Sequence, residues 1–314
     1  MVMATPFLKA LRSELVGELW AMGKSRAMHL YNGLGFFDRF IPYDNKTLFS
    51  FLDNVATIRE RKFERGVVLP HSFRSALILF LGGVPERVGY DLNSRGFMLN
   101  HRITGGQALE PTVEHYLRIL DALGIKKLTD SPQLSVAEDE EQRFDQTYTD
   151  IGTGYVAFIV GAQYGSSKRW PAQHFSQLAD MIVSKYERMV YILPGKDELE
   201  IANQVREAAS HRDKVQIKEM DIGDLKVCLS RASLVVSNDT GPRHISAALG
   251  RPTLVILGPM DSLYTEYPSQ STHPVMKDVA CRPCNRKKCD GDHVCMTGLK
   301  PEDVFAKVED IFGR

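Results

Sequence analysis

The feature that most constrains the fold is a regular alternation of short apolar runs and amphipathic segments between residues 155 and 257. The apolar runs are short and rich in β-branched residues, which is typical of buried strands. Strands that alternate with helices predict a doubly wound parallel α/β sheet, which binds ligands beyond the carboxyl ends of its strands. The predicted strands are Tyr155–Val160, Met189–Leu193, Val215–Ile217, Leu234–Ser237 and, as the last strand, Thr253–Leu257; the helices are 172–186, 198–209, 222–231 and 241–249.

The N-terminal half shows weaker patterns of the same class. Apolar spacing predicts a helix that begins near Pro6, and the helix predicted over Val113–Leu123 should end at Gly124, a residue type that often closes helices. Further strands are predicted over Glu18–Met22, Phe40–Pro42 and Gly66–Pro70, and further helices over Leu48–Arg59 and Phe73–Leu81.

The length of 314 residues gives room for about two domains at roughly 150 residues each. Residues 129–149 are polar and include the acidic run Glu138–Glu141, which indicates a solvated segment or a linker. We therefore place the domain boundary near Asp150, which predicts an N-terminal domain of residues 1–150 and a C-terminal domain of residues 151–314.

The charge balance excludes one class of function. Lys plus Arg and Asp plus Glu both number 39, so the net charge is zero, whereas a dedicated nucleic-acid binder needs surplus cations.

The longest apolar run, Ala76–Val84, is about half of what a bilayer span requires. Lys9 and Arg12 interrupt the first apolar segment, which argues against a signal peptide. We expect a cytoplasmic protein.

The loop that follows the first strand of the C-terminal half has the composition of an anion site. Residues 161–171, GAQYGSSKRWP, begin at Gly161 and contain the cations Lys168 and Arg169. Small residues let backbone N–H groups approach a ligand, and the cations supply countercharge. The order of residues is not that of a Walker A loop. A plain surface loop with a solvated basic pair is the alternative.

A second loop, residues 237–244, leads from a strand into a helix. Asp239 or Thr240 can cap that helix, whose N-terminus offers N–H groups and a positive dipole end to a phosphate. An ordinary capped helix is the alternative, but it does not explain Gly241 or His244.

The third loop, Leu257–Asp261, adds Gly258 and a carboxylate that can accept from a ligand hydroxyl. All three loops follow strands of one sheet, so we expect a diphosphate between Lys168 and the helix that begins after Thr240. A redox dinucleotide is not expected, because no G-x-G-x-x-G follows a strand.

These three loops resemble a known pattern. The segments GAQYGSSKRWP, SNDTGPRHISAALGRP and LGPMD are similar to those of glycosyltransferase family nine, the heptosyltransferases of lipopolysaccharide inner-core synthesis. Residues 68–90, VLPHSFRSALILFLGGVPERVGY, resemble the heptosyltransferase II branch.

The resemblance implies a GT-B fold, with two Rossmann-like domains facing across a cleft. It implies a C-terminal domain that binds ADP-L-glycero-D-manno-heptose and an N-terminal domain that binds a heptosylated Kdo–lipid A acceptor. The reaction would be a single inverting displacement with no cofactor and no required metal. Because the acceptor is anchored by lipid, a peripheral position at the inner face of the inner membrane is expected.

The resemblance also assigns roles to residues. Donor binding falls to Gly161, Lys168, Arg169, Glu198, Asp239, Thr240, Gly241 and His244, with Asp197 as the alternative to Glu198 at the ribose. Lys168, Asp239 and His244 would also support catalysis. Ser72 and Arg74 would face the acceptor.

The catalytic base is not assigned within the sequence. Family members carry a strand and a Gly-Asp turn directly before the segment that matches residues 1–3, and the resemblance implies that this aspartate is the base. The first N-terminal strand is thus apparently missing, and we expect the upstream reading frame to encode a strand that ends in Gly-Asp. The alternatives are a family member that uses another nucleotide-sugar donor and a non-catalytic sugar-nucleotide-binding protein.

Four of the five cysteines, Cys281, Cys284, Cys289 and Cys295, lie within fifteen positions. The first pair has zinc-site spacing, but the later gaps do not. Reduced packing thiols, a structural metal site and a redox disulfide all remain open.

Overall fold

The computed structural model describes residues 1–43, 47–105, 110–265, 267–269 and 271–313. It divides the chain into two compact units. The first contains Met3–Pro132 and Leu263–Pro268, and the second contains Gln133–Ser262 and Ser269–Arg314.

The first unit is an α/β unit whose described strands all pair in parallel. Its strands are β1 (Trp20–Gly23), β2 (Arg39–Pro42), β3 (Arg65–Val68), β4 (Glu86–Tyr90) and β5 (His101–Ile103). Its helices are α1 (Thr5–Glu14), α2 (Ser25–Tyr31), α3 (Leu48–Arg61), α4 (Phe73–Leu81) and α5 (Thr112–Leu123). β1 pairs with β2 in one sheet, and β3, β4 and β5 form a second sheet in that order.

The core of the first unit joins helices to the middle of the three-stranded sheet. Phe7 of α1 and Leu117 of α5 pack in one cluster with Val88 and Tyr90 of β4. Both helices present an apolar face, because their buried residues recur at helical spacing. The predicted opening helix and the predicted end of α5 are confirmed, since Gly124 adopts the left-handed conformation with φ 66°.

The second unit contains one six-stranded parallel sheet. Its strands are β6 (Val156–Ile159), β7 (Val190–Ile192), β8 (Val215–Ile217), β9 (Leu234–Asn238), β10 (Thr253–Leu257) and β11 (Thr272–Met276), in the order β11-β10-β9-β6-β7-β8. Its helices are α6 (Glu138–Thr147), α7 (Ala172–Tyr186), α8 (Leu199–Ala208), α9 (Ile222–Arg231), α10 (Gly241–Ala248), α11 (Val294–Thr297) and α12 (Pro301–Phe312).

The central strands of this sheet explain why its elements were predictable. Every residue of β6, β7, β9 and β10 is buried, as expected of parallel strands that are covered on both faces. Phe175 packs against Phe158 of β6 and against Trp170 in the same core. The chain order changes direction at β6 and β9, which is where such sheets place their ligands.

The prediction that Thr253–Leu257 is the last strand is wrong. β11 follows it and pairs in parallel with β10, with Val255 opposite Pro274. β11 is an edge strand in which only Val275 is buried, so its sequence lacks the continuous apolar run of an interior strand.

The predicted linker before Asp150 belongs to the second unit. Helix α6 packs there through Phe144, which is fully buried, and through an ion pair of 2.6 Å between Glu140 and Lys226. Both of these charged side chains are almost completely buried. The unit therefore begins at Gln133, upstream of the predicted boundary, because an acidic run that looked solvated carries a buried partner for a lysine.

In the described part of the chain, no helix combines the length and the apolarity needed to cross a bilayer.

Candidate functional site

The candidate site lies at the carboxyl edge of the six-stranded sheet. There the buried side chain of Asn238, at the end of β9, forms hydrogen bonds to both ends of the first loop, which follows β6. The Nδ2 group of Asn238 donates to the carbonyl of Val160 at 2.7 Å, and its Oδ1 accepts from the N–H of Trp170 at 3.1 Å. These two bonds hold both ends of the loop 161–169. The basic residues of the loop are thereby kept beside β9.

Asp239 is the centre of an ion cluster. Its Oδ2 lies 2.7 Å from Nζ of Lys168, and its Oδ1 lies 2.7 Å from Nε of Arg243. Lys168 also donates to the backbone carbonyl of Asp239 at 3.1 Å. Burial alone would raise the pKa of Asp239, but Arg243 and Lys168 outweigh it and hold that pKa below its usual value. One ionised carboxylate thus contacts two cations.

Helix α10 adds a positive end to this cluster. Thr240 is its N-cap residue with an extended backbone, and among the described residues its hydroxyl makes no capping bond. Of the two candidate caps, Asp239 and Thr240, it is therefore Thr240 that holds the N-cap position, while the carboxylate of Asp239 is engaged by Lys168 and Arg243. A β-carbon built on Gly241 would meet no described atom within 4 Å. Space next to the helix N-terminus and the Thr240 hydroxyl is therefore open to an anion.

His244 sits in the first turn of α10. Burial, and then the neighbouring guanidinium of Arg243, lower the pKa of His244 well below its usual value. The imidazole is therefore neutral near pH 7 and can both donate and accept hydrogen bonds.

Glu198 and Gly161 meet at the ends of β7 and β6. A β-carbon on Gly161 would lie 1.7 Å from the carboxyl carbon of Glu198, and Glu198 accepts from the N–H of Gly195 at 2.8 Å. In this position the carboxylate fills the space that a side chain at residue 161 would take, so a larger residue there would have to displace it. The alternative at this position, Asp197, is exposed.

The cysteine-rich segment, residues 281–295, packs directly on the first loop. The carbonyl of Lys287 accepts from the N–H of Ser167 at 3.2 Å, and Nε2 of His293 lies 2.6 Å from the carbonyl of Ser167. The hydroxyl of Tyr164 donates to the carbonyl of Asn285 at 2.8 Å. These contacts position the loop that carries Lys168, and residue spacing contained no signal for them.

The same segment holds the third loop. The N–H groups of Cys284 and Asn285 both donate to the carbonyl of Pro259 at 3.0 Å, and the side chain of Asn285 accepts from the N–H of Asp261 at 3.0 Å. Gly258 lies so close to Met296 that a β-carbon would approach its sulfur to 2.6 Å. Asp261 is thus placed beside the segment 281–295 at the same edge of the sheet.

All five cysteines are described, and all are free thiols. Burial, and then Cys281, Cys284 and Cys289, raise the pKa of Cys295. Across the ranges that the structure describes, no group of three or more His, Cys, Asp or Glu side chains has metal-binding geometry. Reduced packing thiols, a structural metal site and a redox disulfide therefore all stay predictions for this cluster.

The residues predicted to face an acceptor lie in the first unit, at the start of α4. Ser72 is the N-cap and accepts from the N–H of Ser75 at 3.2 Å. Arg74 donates to the carbonyl of Thr47 at 3.3 Å and lies 4.9 Å from the ring of Phe51. Both residues follow the carboxyl end of β3. Their role in binding an acceptor stays a prediction.

The fold defines an α/β protein of the GT-B class, with two Rossmann-like units. Residues 54–295 match the model of glycosyltransferase family 9 (heptosyltransferase), and the chain belongs to that family. The predicted family and fold are confirmed.

Individual relatives point to one branch. Lipopolysaccharide heptosyltransferase 2 of Escherichia coli K12 is 29% identical over 222 residues, which is 67% of this chain and 64% of that protein. The chain thus spans less than two thirds of the length of this relative. Lipooligosaccharide heptosyltransferase 2 of Haemophilus influenzae is 24% identical over 82% of this chain and 79% of the relative.

Solved structures share the fold. The structure of E. coli ADP-heptose lps heptosyltransferase II superposes with a TM-score of 0.85 at 22% identity, over 99% of this chain and 94% of that one. A glycosyl transferase family 9 structure from Veillonella parvula superposes with a TM-score of 0.82 at 18% identity, over 99% and 92%.

Proposed function

We propose that the protein is an inverting glycosyltransferase that moves heptose from ADP-L-glycero-D-manno-heptose to the heptosylated Kdo–lipid A core of lipopolysaccharide. Family membership and relatives named heptosyltransferase 2 support this proposal. The observation that carries it is the ion cluster of Lys168, Asp239 and Arg243 at the open N-terminus of α10.

The cluster suits a diphosphate leaving group. Asp239 holds the ammonium group of Lys168 in place, and Arg243 holds Asp239. The ammonium group therefore needs little reorganisation when negative charge develops on the departing phosphate. The N-terminus of α10 and the Thr240 hydroxyl add donors beside it. Preorganised donors of this kind contribute roughly a hundredfold to a thousandfold each to the rate.

Other loops would bind the rest of the donor. The Glu198 carboxylate, with one oxygen held by Gly195, would accept hydrogen bonds from the ribose hydroxyls. Neutral His244 would contact the heptose or the diphosphate. Arg169 and Gly161 border the same loop and complete the predicted donor contacts.

In the reaction, an acceptor hydroxyl oxygen forms a bond to the anomeric carbon on the face opposite ADP. The bond from that carbon to the phosphate oxygen breaks, and ADP leaves with the electron pair. The first unit would bind the acceptor, with Ser72 and Arg74 at the start of α4. Because this acceptor is anchored by lipid, we place the activity at the cytoplasmic face of the inner membrane.

The test is an assay of the protein, expressed from its complete reading frame, with ADP-heptose and a defined heptosyl-Kdo–lipid A acceptor. We expect ADP release and an acceptor whose mass increases by one heptose residue. Turnover with another nucleotide sugar but not with ADP-heptose would change the donor assignment. Binding of ADP-heptose without turnover would identify a sugar-nucleotide-binding protein instead.

A further inference from the structure

Helix α4 of the first unit is apolar on all of its sides, yet only one side of it is buried. Seven of its nine residues, FRSALILFL, are apolar. A helix that is apolar all round is normally enclosed by protein or lies in lipid. Ala76 and Ile78 are buried, whereas Phe73 and Phe80 are 43% and 40% exposed. The packing of the first unit thus accounts for one side of α4 and leaves the other side exposed.

A third aromatic ring lies against this exposed side. Phe97, in the turn 96–98 that follows β4, is 62% exposed. Its ring centroid lies 6.1 Å from that of Phe73 and 6.2 Å from that of Phe80, which are typical distances for a pair of aromatic rings. We call these three residues the aromatic surface. Because the rings contact one another, they form one continuous apolar patch, and such patches mark interaction sites.

The start of α3 extends the exposed apolar area. Leu48 and Phe49, its first two residues, are 68% and 81% exposed. Arg74, which follows Phe73 in α4, donates to the carbonyl of Thr47 at 3.3 Å, so the two helices begin side by side. Apolar side chains as exposed as these are stabilised when a partner removes them from water.

The sequence around the aromatic surface is basic. Residues 47–105 contain eight Lys and Arg but five Asp and Glu, although the whole chain has a net charge of zero. None of the five acidic residues lies within 65–85 or 92–105, the two segments that carry the aromatic surface. A partner that covers this surface should therefore carry negative charge.

Two of the arginines lie at the end of α4. The guanidinium of Arg59 donates to the carbonyl of Leu81 at 2.8 Å, and that of Arg87 lies 5.4 Å from the ring centroid of Phe80. Exposed aromatic rings bordered by cations are typical of surfaces that lie on membranes, where the rings enter the boundary between headgroups and acyl chains. The cations then meet the phosphates of anionic lipids.

We propose that the aromatic surface docks on an anionic phospholipid membrane. Phe80 and Phe97 enter at the level of the headgroups, and Arg59 and Arg87 contact lipid phosphates. This deepens the proposed function and rests on it for its biological use, because a lipid-anchored acceptor is presented at such a membrane. Binding to the membrane itself requires no catalysis and can be measured separately.

The first test measures binding of the protein, expressed from its complete reading frame, to vesicles of phosphatidylethanolamine and phosphatidylglycerol. We expect co-sedimentation that weakens at high salt and with vesicles of phosphatidylcholine alone. Phe80→Ser combined with Phe97→Ser should raise the Kd for the anionic vesicles about tenfold or more, because the rings no longer leave water. Leu128→Ser, at a leucine that is 51% exposed after α5, is the matched control and should bind as wild type does.

Two further variants test each part of the surface separately. Arg59→Gln should raise the Kd about fivefold for the anionic vesicles and leave binding to phosphatidylcholine unchanged. In Phe97→Trp, the emission of the added indole should shift to shorter wavelength and be quenched by brominated acyl chains. The added indole of Leu128→Trp should stay unquenched. Urea unfolding of every variant should agree with that of the wild type, because the replaced side chains are exposed.

The transfer assay distinguishes failure of the docking from failure of the proposed function. The double variant should lose transfer to an acceptor embedded in anionic vesicles and keep wild-type kcat/KM with a deacylated, water-soluble heptosyl-Kdo acceptor. Equal vesicle binding by the wild type and the double variant would overturn the docking proposal and leave the transferase assignment intact. A wild type that forms a dimer, which the double variant does not form, and binds no vesicles would assign the surface to a second copy of the chain instead. Vesicle binding as expected without transfer to either acceptor would overturn the proposed function alone.

Discussion

The carboxylate of Glu198 occupies the space that a side chain on Gly161 would need. A β-carbon at Gly161 would lie 1.7 Å from the Glu198 carboxyl carbon, so the carboxylate can keep this position only while residue 161 is glycine. This relationship joins the end of β6 to the loop after β7 and places an acceptor group beside the loop of Lys168. It accounts for both residues at once, whereas the sequence motif indicated each one separately.

Gly161→Ala should therefore displace Glu198 and weaken donor binding. We expect the Kd for ADP, measured by calorimetry, to rise about tenfold, equivalent to about 1.4 kcal/mol. The double variant with Glu198→Ala should bind no more weakly than Glu198→Ala alone, because the clash needs the carboxylate. Gly152→Ala, where a β-carbon would meet no described atom within 4 Å, should bind ADP normally. Unchanged affinity in Gly161→Ala would contradict the proposed ribose contact.

Removal of either member of the Lys168–Asp239 pair should reduce transfer strongly, but for different reasons. Lys168→Ala removes a donor to the leaving group, and we expect kcat to fall by about a hundredfold to a thousandfold. Asp239→Ala leaves Arg243 buried without its carboxylate, so stability should fall as well, by about 3–5 kcal/mol. Steady-state kinetics and urea unfolding separate the two effects. Lys185→Ala, which breaks an exposed ion pair with Glu309, is the control. It should change neither kcat nor the free energy of unfolding by much.

Sequence reasoning succeeded where a local pattern determines the structure. The bounds of α7, α9 and β10 agree with those predicted, because each has a clear apolar period and a cap or turn at its end. It failed for α6 and β11, whose positions depend on a buried ion pair and on an edge pairing with β10. The partner of α6, Lys226, and the partner of β11, strand β10, come beside these elements only when the chain folds, so local sequence patterns do not reveal the pairing.

The same distinction applies to the site. Lys168 and Asp239 lie in loops whose position after strands was predictable, so the motif found them. Arg243 was missed because its pattern is that of any helical cation, and only the 2.7 Å contact to Asp239 reveals its role. His293 was missed because it reaches Ser167 across more than a hundred residues of sequence.

The neutral state of His244 predicts a pH dependence of stability. Its pKa in the folded protein lies well below the value of about 6.5 in the unfolded chain, so the unfolded state binds a proton first as pH falls. The contribution of neutral His244 to the free energy of unfolding should be complete above about pH 6.5. Below that pH it should decrease, by at most about 1.4 kcal/mol per pH unit. His244→Asn should flatten that slope in urea unfolding between pH 7.5 and 5. His71 and His174, whose pKa values are also lowered, contribute equally to both proteins and cancel in the difference. A slope unchanged by the substitution would show that folding does not lower the pKa of His244.

The buried pair of Glu140 and Lys226 should determine whether residues 133–150 stay attached to the second unit. Burial lowers the pKa of Lys226 and Glu140 opposes this, so Glu140→Ala removes the carboxylate that lies 2.6 Å from a completely buried ammonium group. We expect a loss of about 3–5 kcal/mol in urea unfolding and faster proteolysis within α6. Asp145→Ala is the matched control on the same helix, because its pair with Arg231 is largely exposed on the aspartate side and should contribute little to stability. Equal losses in the two variants would mean that α6 is held by Phe144 and its apolar contacts and that the buried pair is dispensable.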